Sequence, residues 1–262
     1  MRFTSKAPGS KIERRWIGEG RGYVNSLPVL YADAMASDRS LTRRSAFGFS
    51  FMIAVMGGAI FLAAGTFAFW QGWLFLSTFS VATVMITLYL LRHDPALLSR
   101  RVQGGPGAET DARQKIIQTL AGLCFLALIV APSVEQRFPV RPVGWPWVLG
   151  ANLTIAAAYW AIYRVFRENS YASATIELAA DQRVIETGPY AVVRHPMYAA
   201  AIPLIVAMPI ALGSLWSALF ALPLMAVINW RLVEEERFLH DNLAGYAAYA
   251  SKVRYRLIPG LY

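Results

Sequence analysis

The chain gathers its apolar residues into six long blocks, near 46–69, 70–91, 116–132, 146–163, 197–213 and 215–230, and this blocking limits the possible folds more than any other feature. A hydrocarbon core of ~30 Å takes about 20 helical residues to cross, so the first, second and fourth blocks are long enough while the third, fifth and sixth are short. With 56% hydrophobic and 16% charged residues over 262 positions, the chain is too apolar for an ordinary water-soluble domain. The expected fold is all-α: a polytopic integral membrane protein of five to six transmembrane helices. The smaller number holds if the last two blocks form a C-terminal hairpin that stops short of crossing.

A net charge of +9 raises the question of nucleic acid, and the placement of the basic residues answers it. They stand in the stretches between blocks. If six helices cross and both termini face the cytoplasm, every Lys and Arg except Arg137 and Arg141 falls on the cytoplasmic side. The charge therefore reports topology, and no nucleic-acid partner is expected. Cys124 is alone inside the third block, and His93 and His240 have no ligating neighbours in sequence, so neither a disulfide nor a metal is expected.

Residues 1–44 are polar, basic and rich in Gly, Ser and Pro, which predicts a loosely ordered or surface-lying tail ahead of a membrane domain over 45–262. FAFWQGW at 67–73 suits a tight turn with two interfacial tryptophans. Pro95 should stop the second helix, and GGPG at 104–107 should form a turn. SVEQRFPVRPVGWPW at 133–147 reads as an external loop, and ATIELAADQRVIETG predicts an extended segment or a hairpin turning near Ala180 and Asp181.

Two polar clusters remain. TGPYAVVRHPMY at 187–198 precedes the fifth block, with Pro196 placed for the first turn of a helix and His195 at its cap. The free N–H groups there favour an anionic partner. An Arg-His pair also occurs at 92–93, so the pair alone is no signature. WRLVEEERFL follows the sixth block, with Arg231 and Glu235 four residues apart on one helix face and Glu236 about 140° round from Arg231. A return at ALGS, 211–214, brings the second cluster back to the first. Ionisable groups meeting at a membrane face are functional candidates.

GPYAVVRHPMY, then R-x-x-x-EE some forty residues on, then GYAAY and VRYRLIPG, resembles the isoprenylcysteine carboxyl methyltransferase family, whose relatives include membrane phospholipid methyltransferases. The resemblance covers roughly 175–259, and NLAGY at 242–246 departs from the family's usual run. It implies a C-terminal helical hairpin enclosing S-adenosyl-L-methionine, with a lateral opening for a lipophilic methyl acceptor from the bilayer. Position by position, it implies cofactor contacts from Gln182, Arg183, Val184, Ile185, Tyr190, His195, Pro196, Met197, Tyr198, Glu235 and Glu236, with Glu177 as the best candidate for a further polar contact. Arg231 is implied to face the acceptor as the catalytic residue.

The residue types agree with that chemistry. A carboxylate attacks a sulfonium methyl without a general base, provided the site aligns the atoms and excludes water. Arg231 can orient a carboxylate through its planar fork. An amine acceptor would need a proton removed and would be repelled by the arginine. The expected function is carboxyl O-methylation of an isoprenylated cysteine or similar lipid-linked acid, at a site facing the cytoplasm as both termini do. The alternatives are phospholipid N-methylation, an NADPH-dependent sterol-type reduction, and non-catalytic lipid binding.

Overall fold

The computed structural model describes residues 16–138, 143–179 and 181–262, with side chains from residue 39 onward. By contacts it divides into two units, Met1–Arg44 and Ser45–Tyr262. The described residues are almost entirely helical and contain no strand. Arg141 and the turn position Ala180 lie outside the described residues.

Four stretches are long and apolar enough to cross a membrane: Arg39–Ala64, Trp70–His93, Ala112–Glu135 and Trp216–Asn242. The first is the end of α1 (Trp16–Ala64), so the described part of the polar stretch ahead of residue 45 is helical. Ala, Leu, Met and Arg dominate the later part of that tail, and their helix propensity outweighs its polar composition. The third and sixth blocks prove longer than their apolar cores, because helices α4 (Ala112–Glu135) and α7 (Ala221–Asn242) run on into polar residues. The fourth block forms α5 (Trp145–Glu168), of sufficient length, although Asn152, Arg164 and its Trp and Tyr residues leave it outside the apolar set. The fifth, α6 (Pro196–Ala211), stays short.

Local chemistry sets the ends of these helices. After Ala64 the chain turns through Gly65 at φ 71°, and Arg137 donates to the carbonyls of Leu62 and Ala63 at 2.5 Å each, which takes up acceptors left open at the end of α1. Trp73 Nε1 donates to Phe67 O at 2.9 Å and closes the turn into α2 (Trp70–His93). Asp94 ends α2 and caps α3 (Pro95–Val102), its carboxylate accepting from Leu97 N at 2.9 Å. Asp111 caps α4 in the same way, through the N–H groups of Arg113 and Gln114.

The core is built where α1, α2, α5 and α6 meet, with Ile60, Phe75, Ile155, Met208 and Leu212 fully buried. Alanines 151 and 158 on α5 and 200, 207 and 211 on α6 are buried, and such small residues let helix backbones approach closely. A second cluster, Leu128, Ile205, Ala221 and Leu224, joins α4, α6 and α7. Leu62, Val81, Met85, Leu153 and Leu222 stay exposed, as a lipid-facing surface requires.

The return between α6 and α7 falls at 211–215, through Gly213 at φ 86° and a 3-10 turn at Trp216–Phe220. Ser214 and Ser217 both donate to Glu135 at the end of α4, which fixes the turn. Pro203 and Pro209 stand inside α6, where each removes an intrahelical donor. This return brings Arg231 back to the end of the bundle from which Pro196 departs.

Candidate active site

The stretch ahead of α6 is shaped by one glycine. Gly188 adopts φ 58° and opens a 3-10 turn, Gly188–Ala191, so close to Glu168 that a Cβ would lie 2.8 Å from its carboxyl carbon. Only glycine fits that approach and that backbone conformation at once. Thr187 donates its hydroxyl to the same Glu168. The turn places Tyr190, whose phenol oxygen accepts from Asn169 Nδ2 at 2.7 Å and whose carbonyl accepts from Tyr249 Oη at 2.8 Å. Pro196 then opens α6 with His195 at the N-cap, as the sequence predicts.

Across from this turn, α7 supplies Arg231 and Glu235. Tyr198 on α6 donates to Glu235 Oε2 at 2.6 Å, so the two clusters meet by a direct hydrogen bond. Between them lies a cavity of about 230 Å³. Its walls include Glu177, Gln182, Arg183, Val184, Ile185, Tyr190, His195, Pro196, Met197, Tyr198, Arg231 and Glu235. Residues 171–179 and 181–187 reach it as irregular stretches with no strand among the described residues. A larger hollow of about 790 Å³ lies between α2 and α5, but its walls, among them Val81, Met85, Ile86 and Trp160, offer a polar ligand few partners.

Glu236 is the one sequence candidate that does not line this cavity. Its position round the helix turns it away from Arg231 and into a buried ionic cluster. Oε1 accepts from Arg194 Nε and Oε2 from Arg256 Nε, each at 2.6 Å. Arg194 also donates to the carbonyls of Val253 and Arg254, at 2.8 and 2.7 Å, while its own N–H donates to Tyr255 O. The segment 253–256 is thus strapped beside the start of α6, with Glu236 as the shared anion. This arrangement gives Glu236 a structural duty behind the cavity wall, which its partner Arg194 helps to line.

Several wall residues lie outside the sequence expectations. Arg101 comes from α3, read in sequence only as part of the basic stretch that follows a proline stop. Asn169 is the C-cap of α5. Tyr246 and Tyr249 belong to α8 (Tyr246–Lys252), which starts after Gly245 at φ 86°, so the departing run 242–246 still delivers Tyr246 to the cavity. Glu109 stands just behind: Arg231 Nη1 donates to its Oε1 at 3.2 Å and to Gln114 Oε1 at 3.2 Å, while Nη2 donates to Ala174 O at 2.7 Å. GYAAY was a visible signal for the tyrosines; nothing local marked Glu109.

The surroundings change the ionisation of two of these groups. Loss of hydration pushes the Tyr190 phenol up to about 12, against the opposing hydrogen bond from Asn169. Loss of hydration pulls the Arg101 guanidinium below its ordinary value, and the nearby charge of Arg231 acts in the same direction. Tyr246 Oη and His195 Nε2 are buried without a hydrogen-bond partner. His195 Nε2 stands 3.9 Å from Glu236 Oε1, outside bonding range.

Helices able to cross a bilayer, around a polar cavity at one end of the bundle, define a membrane protein with an enzyme-like site. Residues 146–244, which include all but the first residue of α5, then α6, α7 and most of the cavity wall, match the phospholipid methyltransferase family, the family that includes the isoprenylcysteine carboxyl methyltransferases. The match over this stretch supports a membrane methyltransferase. A comparison with curated proteins gave no match.

Proposed function

We propose that the protein uses S-adenosyl-L-methionine to methylate the carboxylate of an isoprenylated cysteine or a similar lipid-linked acid. The observation that carries this reading is the convergence of the 182–185 run, His195–Tyr198, Arg231 and Glu235 on one cavity. A cofactor with a nucleoside and an amino-acid end needs apolar walls and isolated polar atoms. Val184, Ile185, Leu239 and Leu243 offer the first, and the unpartnered His195 Nε2 and Tyr246 Oη offer the second. When bound, S-adenosyl-L-methionine supplies an electrophilic methyl group on a sulfonium.

The chain's own residues then have three tasks. Arg231 orients the acceptor carboxylate; because Glu109 already shares its charge, the acceptor keeps its nucleophilicity. Glu235, held by Tyr198, places a negative charge toward the cofactor. The apolar part of the wall keeps water from the reacting groups. The basic stretches flanking the cavity support a cytoplasmic position for it and for both termini.

The test is calorimetric binding of S-adenosyl-L-methionine to protein in a nonionic detergent, beside Arg231→Ala and Glu235→Gln, followed by labelled methyl transfer to N-acetyl-S-farnesylcysteine. Binding lost in Glu235→Gln and kept in Arg231→Ala, with transfer lost in both, is the expected pattern. No cofactor binding by the wild type sinks the proposal. Phospholipid N-methylation is the second reading, favoured by the family description itself. Transfer to phosphatidylethanolamine and none to the farnesylated acid would establish it instead.

A further inference from the structure

We infer that Arg101 is a second oxyanion receptor in the cavity, seating the acidic group of the lipid acceptor together with Arg231. The inference rests on the reading of the acceptor as an acid. Arg101 sits in the last turn of α3, outside the stretch 146–244 that carries the family match. It lines the cavity beside Tyr190, Met197 and Tyr198.

What sets Arg101 apart is its company. Its Nη1 donates to Ala172 O at 3.0 Å and lies 3.9 Å from Met197 Sδ, and its guanidinium carbon is 4.7 Å from the ring centre of Phe166. Among the described residues, no carboxylate lies within ion-pair distance of it, whereas Arg194, Arg231 and Arg256 each hold a glutamate. A guanidinium has five N–H donors, and here a carbonyl and a weak sulfur acceptor take only one of its nitrogens. A basic residue acting only as a membrane-face anchor extends toward water and headgroups. Arg101 turns inward instead, stacked on an aromatic ring.

Two cations facing one cavity repel each other, and the cost grows as hydration is lost. The influence of Arg231 on the Arg101 guanidinium reports that they sense each other. An oxyanion entering beside both offsets that repulsion and meets unused N–H donors; an ammonium adds to it. Position therefore makes Arg101 a specificity residue for acid over amine, and it acts on the acceptor, leaving the nucleoside wall at 182–185 untouched.

The experiment titrates detergent-solubilised full-length protein, loaded with S-adenosylhomocysteine, with N-acetyl-S-farnesylcysteine and with its carboxamide. The wild type is expected to bind the acid at least about tenfold more tightly than the amide, as charge-assisted hydrogen bonds imply. Arg101→Gln should abolish that preference and Arg101→Lys keep part of it, both with unchanged affinity for S-adenosylhomocysteine, which also shows that they fold. Equal wild-type affinity for acid and amide overturns the inference. So does a preference that survives Arg101→Gln, or a matching loss of S-adenosylhomocysteine affinity, which would assign the guanidinium to the cofactor's carboxylate. Methyl transfer is followed separately. An Arg101-dependent acid preference without transfer refutes the proposed reaction and leaves the receptor standing; transfer whose acceptor KM ignores Arg101 overturns the receptor alone.

Discussion

Glu236→Gln separates a structural anion from a ligand contact. In the native protein the side chain is buried, and each of its oxygens receives a guanidinium at 2.6 Å. Glutamine keeps the shape but offers one accepting oxygen, and its amide N–H₂ would face a donor. At least one charge-assisted bond is lost, worth about 1.5–3 kcal/mol. The Arg194 side chain, only 9% exposed, then keeps its charge with no anion beside it, and breaking a buried pair in this way costs roughly 3–5 kcal/mol in all. Thermal unfolding in detergent should therefore show a clear drop in midpoint, with faster proteolysis within 253–256 as the strap loosens. Glu236→Asp should recover part of the loss. Wild-type stability in Glu236→Gln would refute this account of the cluster. Normal stability with abolished cofactor binding would instead restore Glu236 to the ligand-contacting role that its neighbour's motif suggests.

The left-handed turn at Gly188 makes a second expectation. Gly188→Ala adds a Cβ 2.8 Å from the Glu168 carboxyl at φ 58°, and should cost about 1–2 kcal/mol for the backbone alone, with more from the clash; pairing it with Glu168→Ala and comparing unfolding midpoints isolates the backbone part. Tyr190 predicts a pH dependence. Its phenol titrates near 12 when folded and near 10 when exposed, so the folded state holds the proton longer and stability falls as pH rises from about 10 to 12. The loss reaches at most roughly 2–3 kcal/mol, and it should be missing from Tyr190→Phe when denaturation midpoints are compared across that range.

Much of the fold was legible because lipid exposure leaves a plain mark: six apolar blocks became six helical segments. Helix ends were less legible, since α4 and α7 continue into polar residues once tertiary partners accept their side chains. In the tail, composition left open a loosely ordered or a surface-lying segment, and from Trp16 the described residues are helical. Within the cavity, the run from Tyr190 to Tyr198 and the Arg231–Glu235 spacing were readable because each lies on one local element. Glu236 was misleading for the same reason. One residue of helical phase moved it from the cavity to the Arg194 cluster, and the partner that holds it there, Arg256, is twenty positions away. Arg101 illustrates the limit most clearly: a basic residue after a transmembrane helix looks like a topology marker until the packing of α3 reveals which way it turns.

The shortness of α6 has a consequence for the surrounding membrane. Its 16 residues span about 24 Å, several ångströms less than an average hydrocarbon core. Its neighbour α2 has 24 residues and matches the full thickness. The bilayer must then thin on one side of the protein, or the polar end of α6 must sink below the level of its surroundings. Since that end carries His195 and part of the cavity wall, acyl-chain length becomes a variable of the reaction, and a thicker host membrane is expected to slow it without altering a single contact inside the protein.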